Sequence, residues 1–347
     1  MKNRKKVIFR ELVRRILPWY ECHARSMPWR RPDVDPYWTL VSEIMLQQTR
    51  VETVIPYFQR FIRELPSLKD LASAGEEQLL KLWEGLGYYS RVRNLQKAAQ
   101  AAMELFSGQL PQSVEDLLRL PGIGAYTAGA IASIAFHQKA PAVDGNVLRV
   151  CARLLDYEKD IMKPPFRKEI TAALLEIYPE GKCSEFTQSL MDLGAMICIP
   201  GKPRCSDCPL QEICCGFKAG RASLLPVKKE KPLRRIELKT VLILQSTSSR
   251  TALRKRTEKG VLSGMWELPS LEGHIPEKEL REYLEAEKIL VETMEYSKKG
   301  KHIFSHLEWH MEFWIIRCKN EISSYVWADP DDLLHTYSLP AAFRKFL

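Results

Sequence analysis

The sequence predicts an all-α domain followed by a smaller domain that mixes α-helices and β-strands. Apolar residues recur at helical spacing from the start to about residue 220, as in 76–106, where a glycine-rich break separates two helices. A polar, basic stretch with two prolines follows at 220–235 and has the composition of a linker. Beyond it, 236–245 and 310–319 are rich in β-branched and aromatic residues and predict strands, with a helix between them at 276–290.

Length and composition agree with two soluble domains. The 347 residues exceed the roughly 250 to 300 at which single cores stop growing. No apolar run approaches the roughly 20 residues that cross a bilayer, and the basic start at 1–23 interleaves apolar residues with Arg and Glu, which predicts a helix rather than a secretory signal. We therefore expect domains at 1–220 and 236–347, a linker at 221–235 and no membrane association.

The charge balance favours a polyanionic partner. The chain has 52 Lys and Arg against 43 Asp and Glu, a net charge of +9. Such an excess attracts nucleic acid through electrostatic steering and counterion release. A basic soluble protein with no such partner is the alternative.

Four of the nine cysteines lie close together at 198–214, separated by six, two and five residues. The start has no secretory signal pattern, so we expect a reducing compartment, where such a group more often binds metal than forms disulfides. Thiolates suit both zinc and iron–sulfur clusters, so the ligand set alone leaves both open. A disulfide knot and four unrelated thiols are the remaining interpretations.

Residues 113–136 predict a helix-hairpin-helix. Ser113 and Asp116 form a capping-box pattern at the first helix, and the sequence Leu-Pro-Gly-Ile-Gly then interrupts the helical spacing. Gly122 and Gly124 permit a tight turn whose backbone N–H groups, at the start of the second helix, bind a phosphate without reading bases. A plain helical corner with no ligand is the alternative.

Asp144 lies twenty residues past that turn, at the start of an otherwise apolar helix. An N-cap role explains an aspartate there. The hairpin, this aspartate and the four-cysteine spacing together resemble the DNA glycosylase superfamily that includes endonuclease III, over essentially all of 1–220. The resemblance implies a 4Fe-4S cluster that ties down a basic loop with Lys202 and Arg204. Its implied ligands are Cys198, Cys205, Cys208 and Cys214.

Two positions indicate which kind of glycosylase within the superfamily the chain resembles. Bifunctional members of the superfamily form a Schiff base with a lysine in the second hairpin helix, where this chain has Tyr126. A phenol cannot form an imine, which predicts a monofunctional glycosylase that uses water. The segment 37–61 resembles the MutY family of adenine DNA glycosylases and implies that Glu43 is the acid. Its apolar neighbours are expected to raise its pKa.

The resemblance implies a mechanism with two carboxyl groups. Glu43 protonates the purine ring while the glycosidic bond breaks. Asp144, kept ionised, stabilises the positive charge that develops on the sugar. Tyr126 and Asn146 are candidates for orienting Asp144 or the sugar, and a packed tyrosine and a local helix-start asparagine are the alternatives.

Further residues are implied at the DNA interface. The adenine must leave the duplex, and Gln48 and Tyr88 are the residues expected to fill the gap. Trp29 and Arg30 are expected to line the adenine pocket. Arg91 and Arg93 are expected to contact phosphates.

The second domain resembles the Nudix-like carboxy-terminal domain of the MutY family at 255–270. A Nudix hydrolase needs Gly, Glu and Arg-Glu residues in a fixed register that binds magnesium, and this register is absent around 281–287. The domain is therefore expected to recognise rather than hydrolyse. The stretch 303–309 implies that Ser305 and His306 sense 8-oxoguanine, and a buried strand turn is the alternative.

These observations predict a monofunctional glycosylase that removes adenine opposite 8-oxoguanine or guanine from double-stranded DNA. We expect a monomer that works in the cytoplasm of a bacterium, at the nucleoid. The rival interpretations are an endonuclease III-like pyrimidine glycosylase with lyase activity, a catalytically inactive DNA-binding protein, and a Nudix nucleotide hydrolase.

Overall fold

The computed structural model describes residues 2–31, 33, 35–227, 233–257 and 260–347, with the side chains of residues 2–4 excepted. Two units are present: Met1–Ala74 with Ser90–Glu230, and Gly75–Tyr89 with Lys231–Leu347. The segment Gly75–Tyr89, which the sequence analysis placed in the helical domain, is thus grouped with the second unit. Residues 228–232 of the expected linker lie outside the described residues, so the predicted domain boundaries stay a prediction.

The helices are numbered along the chain, and α5 and α13–α15 belong to the second unit. Their bounds are α1 (Lys2–His23), α2 (Pro36–Leu46), α3 (Val51–Glu64), α4 (Leu68–Ser73), α5 (Glu76–Leu82), α6 (Ser90–Leu105), α7 (Val114–Leu117), α8 (Ala125–Ile134), α9 (Gly145–Leu155), α10 (Pro164–Ile177), α11 (Cys183–Met196), α12 (Cys215–Lys218), α13 (Glu277–Ala286), α14 (Pro330–His335) and α15 (Ala341–Arg344). Short 3₁₀ helices lie at Cys205–Asp207 and Gln211–Ile213.

The described part of the first unit is helical, as its apolar spacing predicts. One core forms where α1, α9, α10 and α11 pack together, with Leu12, Val147, Ile170 and Phe186 among its buried residues. Helix α2 packs against α3, α6 and α8, and α8 packs against α11. This packing brings the middle of α2, the start of α8 and the start of α9 together around one cavity.

The hairpin forms as the sequence predicts. The hydroxyl of Ser113 accepts a hydrogen bond from the backbone N–H of Asp116 and so caps α7. Gly122 has φ +76°, and a Cβ there would lie 2.6 Å from the Cβ of Asn94. Gly124 is the N-cap of α8 and has no side chain to bond the first N–H groups of that helix. The turn therefore requires glycine at 122. Because Gly124 has no side chain, the first backbone N–H groups of α8 have no side-chain cap.

The second unit is built on a mixed sheet. Its strands are β1 (Arg235–Ser246), β2 (Thr251–Lys255), β3 (Trp266–Glu267), β4 (Ser270–Glu272), β5 (Val291–Ile303), β6 (Leu307–Cys318) and β7 (Val326–Ala328). Their order is β3-β2-β1-β6-β5, with β4 also paired to β1 and β7 to β2. Strands β1 and β6 run parallel, and β5 and β6 form an antiparallel hairpin. The predicted strands are confirmed as β1 and β6.

Both faces of this sheet are covered, which explains the uninterrupted apolar run in β1. Val241 and Ile243 face a core that includes Phe343 of α15. Leu242 and Leu244 face the opposite core, with Leu280 and Leu284 of α13. Successive side chains of a strand point to opposite faces, so each face needs its own apolar partner.

The segment Gly75–Tyr89 is fixed within the second unit by polar contacts. Glu77 binds the Nζ of Lys255 at 2.7 Å and accepts a hydrogen bond from the indole N–H of Trp266 at 3.2 Å. The buried carboxylate of Glu84 accepts the backbone N–H of Leu339 at 3.1 Å and forms an ion pair with Arg344 at 2.7 Å.

No helix within the described residues is both long and apolar enough to cross a membrane.

Candidate active site

One cavity of about 1110 Å³ in the first unit brings together residues that are distant in the sequence. The predicted site residues that line it are Trp29, Arg30, Glu43, Tyr126, Asp144 and Asn146. All four predicted catalytic residues therefore surround one space, together with the two predicted for the adenine pocket. Gln48, Tyr88, Gly122, Gly124, Ser305 and His306 lie outside its lining.

Glu43 is a buried acid on α2, with only 6% of its surface exposed. The hydroxyl of Tyr126 donates a hydrogen bond to its Oε2 at 2.7 Å. Burial raises the pKa of Glu43 to about 7, although the hydrogen bond from Tyr126 opposes the shift. This carboxyl group therefore carries a proton over much of the range below neutrality, as its apolar sequence neighbours predict.

Asp144 is the N-cap of α9. Its Oδ1 accepts the backbone N–H of Val147 at 2.7 Å, and its Oδ2 accepts the side-chain amide of Asn146 at 2.8 Å. The Nη2 of Arg149 donates in turn to the side-chain Oδ1 of Asn146 at 2.9 Å and so fixes the direction of that amide. Burial raises the pKa of Asp144 above its ordinary value, while these hydrogen bonds and the charge of Arg149 favour the ionised form.

The two candidates for orienting Asp144 have separate partners. Asn146 bonds Asp144, as the sequence analysis allows. Tyr126 bonds Glu43. Burial and the nearby carboxylates of Glu43 and Asp144 raise the pKa of the Tyr126 phenol well above its ordinary value. Tyr126 is therefore a neutral donor that acts on the acid.

Trp29 and Arg30 form part of the cavity wall in different ways. Trp29 is buried and packs edge-on against Phe58, with ring centroids 5.1 Å apart. The guanidinium of Arg30 forms two hydrogen bonds with the carboxylate of Asp192, at 2.6 and 2.9 Å. Arg25 binds the same carboxylate. Asp192 and Arg25 were not predicted from the sequence, although Asp192 shows the signal that identified Glu43, an acid among apolar residues of a helix.

Gln48 and Tyr88 share an unusual backbone conformation. Both have a positive φ, +59° and +49°, which is uncommon for residues other than glycine. Gln48 is exposed, and Tyr88 is 45% exposed. Such conformations concentrate at functional sites, where the surrounding structure maintains them.

The expectation that Arg91 contacts a phosphate requires correction. Arg91 is 8% exposed, and its Nη1 donates to the backbone carbonyls of Ile44 and Met45 at 3.0 and 2.8 Å. These carbonyls lie in the last turn of α2, where helical partners are missing. Arg91 therefore stabilises the end of the helix that carries Glu43.

Ser305 and His306 lie in the turn between β5 and β6. Both are exposed, so the alternative of a buried strand turn is wrong. The hydroxyl groups of Ser305 and Tyr88, both in the second unit, are 2.9 Å apart and share a hydrogen bond. Two residues predicted to contact DNA are thus adjacent.

The four clustered cysteines line one small cavity. Arg153 adjoins them: its Nη1 donates to the Sγ of Cys198 at 3.3 Å, and its backbone oxygen accepts from the Sγ of Cys214 at 3.3 Å. Burial raises the pKa of Cys208 to about 12 and that of Cys214 to about 11.

All nine cysteines are within the described residues, and none is in a disulfide. Across the same part of the chain, no three His, Cys, Asp or Glu side chains are arranged to hold a metal ion. The four clustered cysteines are therefore free thiols that line one common cavity rather than a disulfide knot.

Two family models match the chain. That of the HhH-GPD superfamily base excision DNA repair proteins matches residues 41–180, and that of the NUDIX domain matches 240–347. An adenine DNA glycosylase of Buchnera aphidicola subsp. Schizaphis graminum (strain Sg) is 32% identical over 345 residues, which cover 96% of this chain and 96% of that protein. The chain belongs to the adenine DNA glycosylase family.

Two further comparisons each cover a little over three fifths of this chain. The adenine DNA glycosylase of Mus musculus is 42% identical over 222 residues, 61% of this chain, and the match spans only 43% of the mouse protein. The structure of a thermostable thymine-DNA glycosylase superposes with a TM-score of 0.56 at 29% identity, covering 63% of this chain and 99% of that one. The predicted fold class, a helix-hairpin-helix glycosylase domain followed by a Nudix-like domain, is confirmed.

Proposed function

We propose that the protein hydrolyses the bond between adenine and deoxyribose in double-stranded DNA where adenine is mispaired with 8-oxoguanine or guanine. One observation carries the proposal: the cavity holds a buried carboxyl group, Glu43, whose pKa of about 7 keeps it protonated up to neutrality. A purine leaves poorly as an anion, so a proton donor of this kind is what its departure needs. The family, whose relatives are adenine DNA glycosylases, supports the choice of base.

Glu43 acts as the general acid. Protonation of the purine ring withdraws electrons from the glycosidic bond, and the base then departs as a neutral molecule. The hydrogen bond from Tyr126 to Oε2 fixes the orientation of the carboxyl group. This bond leaves Oε1 as the oxygen that presents the proton to the adenine.

Asp144 acts on the sugar. The backbone N–H of Val147 and the amide of Asn146 both donate to its carboxylate, and the positive end of the α9 dipole lies beside it. An ionised carboxylate stabilises the positive charge that develops on the deoxyribose as the base leaves. Water then supplies the new oxygen at the sugar carbon.

A lyase activity is not proposed. Strand cleavage through a Schiff base needs an amine, and Tyr126 occupies the position at which lyases of the superfamily have lysine. Its phenol is committed to Glu43. The alternative of an endonuclease III-like pyrimidine glycosylase with lyase activity would need a different nucleophile.

The test uses duplexes that carry adenine opposite 8-oxoguanine, adenine opposite guanine, or thymine opposite guanine. We expect release of free adenine from the first two, with strand breaks only after alkali treatment. Release of thymine without release of adenine would contradict the proposed base. Strand breaks without alkali would favour the lyase alternative.

Binding of duplex DNA follows from the hairpin and from the net charge of +9. The first N–H groups of α8 follow Gly124, where no side chain caps the helix and a Cβ would meet nothing within 4 Å. These donors suit a phosphate oxygen. We assign Gln48 and Tyr88 to the gap that the extruded adenine leaves, because both residues have exposed surface on strained backbone.

We assign recognition of 8-oxoguanine to Ser305 and His306. Both side chains are exposed in the β5–β6 turn, and Ser305 bonds Tyr88, which we place in the duplex. A hydrogen bond between neutral groups is worth about 0.5 to 1.5 kcal/mol, so replacing both residues by Ala should lower the preference for 8-oxoguanine over guanine by roughly tenfold. Single-turnover excision from two duplexes that differ only at that base measures the preference. Equal losses on both duplexes would contradict this role.

The four clustered cysteines fit a 4Fe-4S cluster. Four thiolates suit both zinc and a 4Fe-4S cluster, and the resemblance to endonuclease III favours the cluster. All four cysteines line the same small cavity, where the Nη1 of Arg153 donates to the Sγ of Cys198. Cys198, Cys205, Cys208 and Cys214 would hold the cluster, which would stabilise the exposed loop containing Lys202 and Arg204.

Cys205→Ser tests this assignment, with the exposed Cys22→Ser as its matched control. We expect the purified protein and the control to show visible absorption and bound iron, and Cys205→Ser to lose both. A colourless protein with stoichiometric zinc would contradict the cluster. We further propose a cytoplasmic monomer that works at the nucleoid, for which sedimentation with and without DNA is the test.

A further inference from the structure

Asp192 is a fully buried carboxylate on α11 that binds two guanidinium groups. Arg25 donates to its Oδ1 through Nε at 2.8 Å and Nη2 at 2.6 Å, and its backbone N–H donates to Oδ2 at 3.2 Å. Arg30 donates through Nη1 to Oδ2 at 2.6 Å and through Nη2 to Oδ1 at 2.9 Å. The two arginines lie 167 and 162 residues before Asp192, so this contact joins distant parts of the chain.

The cluster carries charge at the wall of the candidate active site. Two guanidiniums and one carboxylate leave one net positive charge. Arg25 and Arg30 line the cavity that contains Glu43. The positive charge of Arg30 acts on Glu43 and favours its ionised form. Burial disfavours the charge of Asp192, but the hydrogen bonds and charges of Arg30 and Arg25 outweigh it and lower its pKa, so Asp192 stays ionised.

We propose that Asp192 is a positioning residue that holds Arg25 and Arg30 in the cavity wall and offsets the positive charge that Arg30 directs at Glu43. The proposal rests on the acid role proposed for Glu43. A buried guanidinium near a general acid promotes loss of the proton that the acid must deliver. A buried carboxylate bound to that guanidinium reduces this effect while it keeps the arginine available to the substrate side of the cavity.

Other groups also face Glu43 and are unchanged in the proposed test. Tyr126 of α8 donates to its carboxylate, and the charge of Asp144 at the start of α9 opposes its ionisation. Arg91 of α6 bonds the carbonyls of Ile44 and Met45, the residues that follow Glu43 in α2. These groups lie on α8, at the start of α9 and on α6, whereas Asp192 lies on α11, so its replacement alters the charge balance from the Arg25 and Arg30 side of the cavity.

The test measures the pH dependence of adenine release in single turnovers by the full chain. Asp192→Asn leaves two uncompensated guanidiniums, so the midpoint of the alkaline decline should move to lower pH by about 1 unit. Arg25→Gln removes one positive charge and leaves Asp192 in place. Its midpoint should move by about half a unit in the opposite direction, to higher pH.

The double variant Asp192→Asn with Arg25→Gln restores one net positive charge and should return the midpoint close to that of the wild type. An equal loss of rate at every pH, with unmoved midpoints, would overturn the proposal and leave Asp192 a structural residue. Removing one partner of a buried ion pair is destabilising. If Asp192→Asn alone fails to fold, the double variant is compared with Arg25→Gln, because these two differ only at Asp192, and the proposal requires the lower midpoint in the double variant.

A second readout separates this proposal from the proposed function. Difference infrared titration, with glutamate labelled at the carboxyl carbon and Glu43→Gln to assign the band, follows the ionisation of Glu43 without any substrate. In this titration we expect the midpoint of Glu43 ionisation to move to lower pH in Asp192→Asn and to higher pH in Arg25→Gln. Absence of adenine release by the wild type would contradict the proposed function, and unmoved infrared midpoints would overturn the role of Asp192.

Discussion

Glu43 and Asp144 face the same cavity from different parts of two helices. Glu43 lies within α2, where the backbone N–H groups are used by the helix itself, and its donor is a side chain, the hydroxyl of Tyr126. Asp144 precedes the first turn of α9, where unpaired backbone N–H groups are available, and it accepts one from Val147.

The difference shows how one fold supplies an acid and an anion. Burial raises the pKa of both carboxyl groups. At the start of α9, the backbone donor, the amide of Asn146 and the helix dipole stabilise the charge. Within α2 these supports are missing, and Glu43 reaches a pKa of about 7. The position of a carboxyl group along its helix therefore decides which of the two carries the proton.

The largest effect is expected for Glu43→Gln. The amide keeps the size and most hydrogen bonds of the side chain but has no acidic proton, so adenine release should fall by about 10² to 10⁴-fold, the usual contribution of a general acid. Binding of the mispaired duplex should persist. Single-turnover rates and a binding titration on the same duplex measure both. Turnover close to that of the wild type would remove Glu43 from its role.

Asp144→Asn should cost about 10² to 10³-fold in the same assay, because loss of the negative charge removes stabilisation of the positive sugar. Asparagine is itself a good N-cap, so α9 should remain intact. A small change in thermal unfolding checks the cap. An undiminished rate would mean that another group stabilises the sugar.

The effect of Glu43 on folding stability should also depend on pH. Because the pKa of Glu43 is raised in the folded protein, the unfolded chain ionises first as pH rises, and stability falls between the pKa of the unfolded chain, about 4.3, and the folded value of about 7. Glu43→Gln removes this loss and should stabilise the protein by up to about 3 kcal/mol above pH 7, with little effect in acid. Denaturant unfolding at both pH values measures it, and equal effects at both would contradict the shift.

Tyr126→Phe should have the smallest effect. The phenol hydrogen bond lowers the pKa of Glu43, so its removal should move the alkaline decline to higher pH by about 1 unit. The maximal rate should change little, since phenylalanine preserves the ring. An unmoved decline would show that this hydrogen bond does not act on the acid.

The sequence predicted those parts of this comparison that depend on local pattern. Apolar neighbours indicated a raised pKa at Glu43, and the apolar helix start indicated an N-cap at Asp144. The partner of Tyr126 was not predictable, because Glu43 lies 83 residues away and no spacing rule connects α2 to α8. The contacts of Asp192 with Arg25 and Arg30, 167 and 162 residues away, were not predictable for the same reason.

Strand β5 shows a similar limit in the second unit. Its sequence is rich in charged residues and carries no apolar alternation that predicts a strand. It forms because β6 offers a complete row of backbone partners. The predicted helix at 276–290 consequently ends early, at Ala286, before the chain turns into β5. The exposure of Ser305 and His306 depends on that hairpin.

The most direct test of the central claim, that Glu43 holds the proton adenine needs, is the pH profile of single-turnover adenine release by the wild type. The account predicts a nearly constant rate below about pH 7, down to the pH at which Asp144 takes up a proton, and a decline above pH 7 that approaches tenfold for each pH unit, with no such decline in the residual rate of Glu43→Gln. A wild-type rate that stays level through neutrality, or a decline that persists in Glu43→Gln, would contradict it.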